Sequence, residues 1–190
     1  LSVQINTNGH YSLHNHAVAS SLRRQDIQIQ LCGDGASANL CGAAMAPQRG
    51  NLDQQVTMEH LSANTTSQQT FHNIVADRGK STFNGRIHIH AGARNSNANL
   101  SNKNIGLGAN ATINTKPELE IYNDDVSCSH GATIGQLDND QLFYLCSRGV
   151  DPNAARQLLC EGFLQQCVGG PLADSATAGL LEPLQGLSIQ

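Results

Sequence analysis

Side chains able to hold a metal or move a proton crowd into one short stretch, at Asp124, Asp125, Cys128 and His130. Thiolate sulfur and imidazole nitrogen are the ligand types of iron, iron–sulfur clusters and zinc. Cys128 and His130 stand two positions apart, so an extended backbone turns both to one face of a sheet. Two ligands do not complete a site, since clusters and structural zinc take about four and catalytic zinc about three. As a metal site the pair would need a partner chain to complete it, and spacing alone favours the other reading. The competing arrangement is a buried thiol beside a hydrogen-bonded histidine. Asp124 and Asp125 raise a second chemistry, an acid–base dyad acting on a glycosidic bond. Consecutive strand residues point to opposite faces, so Asn123-Asp124-Asp125 fits an Asx turn better.

Other candidates are weaker. His88 and His90 share a strand face, as do His14 and His16, and such pairs can chelate a transition metal. More often they make the polar face of a half-buried strand, here with Ile87 and Ile89 packed inward. Cys32 with Cys41, and Cys160 with Cys167, read as small core hydrophobes. The chain carries no phosphate-binding glycine loop, no GxSxG elbow and no HExxH. It has no evident machinery for ATP and is read as non-catalytic.

The elements that must position these residues are short strands. Asp26–Leu31, Val56–Leu61, Thr70–Val75, Arg86–His90, Ala111–Asn114 and Glu118–Tyr122 alternate apolar and polar between Gly- or Asn-containing turns. No long amphipathic helix interrupts the series. Abundant Asn, Gly, Ser and Gln suit repeated turns and stacked side-chain ladders. The expected fold is mainly β: a right-handed parallel β-helix core followed by a short C-terminal helical segment. Its expected divisions are the core at 1–135, the helical segment at 136–168 and a loosely ordered tail at 169–190. In the helical part Asp151-Pro152 gives an N-cap and a first-turn proline. Leu158, Leu159, Phe163 and Leu164 supply an apolar face.

Composition narrows the partners. Net charge is −4 with no basic run, which disfavours nucleic acid and anionic membranes. No apolar run approaches the roughly 20 residues that span a bilayer, and no signal peptide stands at the start. Six cysteines are too sparse for a disulfide scaffold of this length, so reduced thiols in an intracellular compartment are expected: the cytoplasm, or the plastid stroma if the source is a plant or alga. Leu1 in place of Met leads to the expectation of a processed product or a fragment.

Three ordered motifs are far more specific than composition. They are Lys116-Pro-Glu-Leu-Glu-Ile-Tyr122, Cys128-Ser-His-Gly-Ala-Thr133 and Gln141-Leu-Phe-Tyr-Leu145 followed by Ser147-Arg-Gly149. With Phe83–Ile87, Ser101–Asn104 and Ala155–Phe163, they resemble the SufB/SufD family of scaffold subunits of the SUF iron–sulfur cluster machinery, over about 77–168. Cys146 departs from the large basic residue more usual there. Cys128-Ser-His-Gly131 resembles the SufD branch, because the SufB branch typically carries a Glu-His-Glu-Ala-Thr-like sequence at 129–133. A SufB-type paralogue is the near alternative. A polysaccharide-active β-helix enzyme using Glu118, Glu120, Asp124 and Asp125 is the distant one.

The resemblance implies a β-helix that pairs with a SufB-like subunit, or with a second copy of itself in isolation. It implies docking of a SufC-like ATPase on the C-terminal helices, with Leu142, Phe143, Tyr144 and Arg148 as candidate contacts. His130, with Cys128, would face a SufB cysteine where the cluster forms. No tightly bound cofactor is implied, only transient iron or a cluster at the subunit interface. SufC dimerisation driven by ATP would open that interface.

Overall fold

In a computed structural model that describes residues 1–170 and 173–184, the chain forms ten strands before any helix. They are β1 (Ser2–Ile5), β2 (His10–Val18), β3 (Leu22–Leu31), β4 (Ser37–Ala46), β5 (Asn51–His60), β6 (Thr66–Ala76), β7 (Lys80–Ile89), β8 (Ser96–Leu107), β9 (Thr112–Ile121) and β10 (Val126–Gly135). Odd-numbered strands make one five-stranded sheet, A, and even-numbered strands make another, B. Every pairing is parallel. The chain thus winds through one strand of each sheet per turn, a β-solenoid of about five turns. Leu22 lies beside Asn51 and Asn51 beside Lys80, a 29-residue repeat.

The strands run longer than the alternating segments foretold. Val56–His60 is only the last half of β5, whose first half reads Asn51-Leu-Asp-Gln-Gln55. Polar residues prolong the strand because each rung pairs its backbone N–H and C=O groups with the rungs on either side. Inward-facing Ile29, Leu31, Leu40, Met58, Phe71, Phe83, Ile87, Ile89 and Leu100 fill the space between the sheets. The Phe71 and Phe83 rings lie 5.1 Å apart.

The corners explain the Asn and Gly content. Asn8, Gly35, Asn64 and Asn95 occupy one corner of successive turns with φ of 57°, 69°, 57° and 53°. Gly and Asn tolerate this left-handed conformation best. They also form a ladder: Asn95 Nδ2 donates to Asn64 Oδ1, and Asn64 Nδ2 to Asp34 Oδ1, each at 2.7 Å. At the opposite corner a Cβ on Gly79 would fall 2.2 Å from the Ala46 carbonyl oxygen, so no larger residue fits there without a shift.

Three helices follow: α1 (Asn139–Ser147), α2 (Pro152–Gln165) and α3 (Ala173–Leu181), then a short 3-10 turn at Glu182–Leu184. Asp138 caps α1 and Asp151 caps α2, each accepting two backbone N–H groups. Cys160, Leu164, Cys167, Leu180 and Leu181 pack on Ala43, Met45, Ile74, Ala76 and Leu107 of the outer face of sheet B. His72 Nδ1 lies 2.7 Å from the Phe163 carbonyl oxygen, its ring stacked on Phe163. Burial pushes the Cys160 thiol up to about 12. Burial, with Cys41 beside it, does the same to Cys167. Both behave as core groups. Of the tail expected to be loose, 171–172 and 185–190 lie outside the described residues.

Candidate functional site

Strand β10 pairs with β8 on one edge, and among the described residues no strand pairs with the other. The solenoid ends here because the chain leaves for α1 after Gly135. Register fixes which way the last rung faces. Cys128 lies beside Ala98 and His130 beside Leu100, both buried core residues. Cys128 and His130 therefore occupy inward-type positions on a rung that no other strand covers among the described residues. Cys128 is half-buried against the core, and His130 is exposed. The shared face expected from their spacing is present, and the fully buried, mutually satisfied arrangement is not. Partial burial raises the Cys128 thiol above its ordinary value, so in the isolated chain the sulfur stays protonated at neutral pH. A metal or a cationic partner would have to draw off that proton before sulfur could bind.

The rest of the last rung is apolar and open. Ile134 on β10 is 57% exposed, and Ile121 and Tyr122 at the end of β9 are also exposed. An unpaired strand edge rimmed by exposed apolar side chains is a template for another chain. Asn123 stitches the corner, its Nδ2 donating to the Ala91 carbonyl and its Oδ1 accepting from Asp125 N–H. Asp124 and Asp125 thus sit in an Asx turn. Glu118 is paired with Lys116 and Glu120 with Arg86, on the outer face of sheet A. Glu118 and Glu120 are thus held in ion pairs on that face, while Asp124 and Asp125 lie at the corner.

On α1, Phe143 is 75% exposed, Tyr144 and Arg148 are exposed, and Leu142 is half-buried. The Arg148 guanidinium carbon stands 5.2 Å from the Tyr144 ring centroid. Leu158 of α2 is also exposed.

The histidine pairs separate. His14 and His16 lie on the outer face of sheet B, their ring centroids 6.5 Å apart, with Gly169 packed against His14. His88 and His90 stack at 3.9 Å on the outer face of sheet A, where the register adds Glu59 beside His88. Glu59 is the residue the sequence reading missed. The 29-residue repeat, once measured, points to it, because Glu59 precedes His88 by one turn.

The model of the SufBD core domain of the SUF system for FeS cluster assembly matches residues 1–163. The chain belongs to this family. The match reaches well upstream of the quoted motifs, to the first residue of β1 and beyond. Over 150 residues the chain is 35% identical to the iron–sulfur cluster assembly protein SufD of Escherichia coli, covering 79% of this chain and 36% of that one. It is 33% identical over 156 residues to the chloroplastic protein ABCI7 of Arabidopsis thaliana, covering 80% and 32%. It is 31% identical over 148 residues to the iron–sulfur cluster assembly protein SufB of Bacillus subtilis, covering 78% and 32%. The chain thus spans about a third of the length of these relatives. Most are named as assembly proteins rather than as enzymes. Among the described residues no helix is long and apolar enough to cross a membrane.

Proposed function

We propose that this SufBD-family chain is a SufD-type scaffold whose last rung forms half of a cluster-assembly site. The observation that carries the reading is the uncovered rung itself: Cys128 and His130 take core positions with no rung above them. A SufB-like subunit stacked against β9 and β10 would supply the missing cover and the missing ligands. Iron and sulfide are then cargo, held between subunits. Imidazole from His130 and thiolate from Cys128 serve as donors, and desolvation by the partner excludes competing water ligands. The exposed face of α1, with Phe143, Tyr144 and Arg148, is the docking surface for a SufC-like ATPase. Closure of that ATPase would pull on the helices packed across sheet B and so on the rung they follow. The 35% identity to a SufD, against 31% to a SufB, supports the SufD assignment over the paralogue.

The test is co-expression with SufB- and SufC-type subunits, purification of the complex, and anaerobic loading with ferrous iron and sulfide. His130→Ala is expected to leave the complex assembled and lower its cluster yield. An unchanged yield removes His130 from the site. Failure of the unaltered chain to enter the complex removes the scaffold role altogether.

A further inference from the structure

Outside the last rung, one group of side chains has the composition of a metal site. On the outer face of sheet A, parallel register sets Glu59 of β5 beside His88 of β7, and His88 beside Glu120 of β9. His90 follows on the same face, its ring stacked on His88 at 3.9 Å and 14°. Ligand atoms of Glu59, His88 and His90 all lie within 4.8 Å of one another, and all three residues are half-buried. His90 Nε2 is shut away from solvent and has no hydrogen-bond partner. A buried, unpaired imidazole nitrogen costs free energy that a bound ion would recover.

The surroundings are those of a ligand set held in place. Gln30 Nε2 donates to Glu59 Oε2 at 2.6 Å, orienting the carboxylate from the neighbouring rung. The Tyr122 ring stands 5.3 Å from His88 and walls one side. Arg86, the nearby cation, is engaged by Glu120 Oε2 at 2.6 Å, and Glu59 adds a further negative charge.

We propose that Glu59, His88 and His90 bind a divalent first-row transition-metal ion. Two imidazoles and one carboxylate suit zinc or ferrous iron and leave coordination positions open to water, whereas calcium and magnesium prefer all-oxygen sets. Metal–ligand bonds of about 2.0–2.2 Å would draw the three side chains inward and splay the stacked rings. The site is separate from Cys128 and His130, and stands or falls independently of the assembly role.

The experiment is titration of the untagged, metal-free protein with Co2+, followed by absorption spectroscopy and calorimetry, then displacement by Zn2+. One ion per chain is expected. Glu59→Gln keeps the shape and the Gln30 contact but weakens an anionic ligand, and His90→Ala removes one. Each is expected to weaken Co2+ binding by more than about tenfold, and Gln30→Ala by about tenfold. His14→Ala is expected to bind as the unaltered protein does. Circular dichroism melts check that the variants fold. Absence of Co2+ uptake at millimolar metal, or affinity in the Glu59→Gln and His90→Ala variants equal to that of the unaltered protein, overturns the site.

Discussion

The middle and the last turn of the solenoid are built alike and behave differently. In the middle, Phe71 on β6 faces inward between rungs and is 0% exposed. On the last rung, the inward-type positions of β10 carry Cys128, His130 and Ile134, and the latter two are exposed. Strand geometry, parallel register and side-chain direction are the same in both. What differs is the neighbour. In a stack whose rungs each bury their core against the next, burial belongs to the contact between rungs rather than to any rung alone. Among the described residues the last rung is therefore a core surface left open.

That contrast can be broken most directly by truncation. Phe71→Ala is expected to destabilise the protein by about 3–5 kcal/mol, read from denaturant melts. A loss under about 1 kcal/mol would mean the middle turn is not the close-packed unit described. The second test uses protons. His60 is fully buried on β5, Nδ1 2.8 Å from Thr65 Oγ1 and Nε2 2.9 Å from Ser67 Oγ, and burial lowers its pKa to about 4. Below 6.5 the unfolded chain takes up a proton that the folded chain refuses. Stability should thus be full above pH 6.5 and fall as pH drops towards 4, by roughly 3 kcal/mol from this residue alone. Melts of His60→Asn should show a shallower acid slope, and an identical slope would clear His60 of the effect. The smallest effect is expected at the open end. Ile134→Ser should change the melt of the isolated chain by no more than about 0.5 kcal/mol, yet weaken capture by a SufB-like subunit. A large loss in the isolated chain would show that the last rung already has a cover.

The motif at Cys128–Thr133 and the Asx turn before it were legible because each depends on residues adjacent in the chain. So was the solenoid, since alternation and Asn/Gly corners repeat locally. Asp151 announced α2 by the same short-range chemistry, whereas the Asp138 cap of α1 emerged only in the structure. Glu59 was not legible beside His88, because nothing within a dozen residues links them. Their adjacency rests on a repeat of 29 positions set by corner lengths. Strand length was also hidden, since the polar halves of β5 and β7 extend by pairing with neighbours rather than by their own preference.

By itself, the sequence determined the donor types, the shared face of Cys128 and His130, the parallel β architecture and the family. These follow from covalent geometry and side-chain period, which act over a few residues. Only the tertiary structure decided that the last rung is uncovered, that α2 and α3 fold back over sheet B, and that a carboxylate from one turn meets two imidazoles from the next. Those outcomes depend on which rung lies beside which, and stacking sets that order across the whole chain.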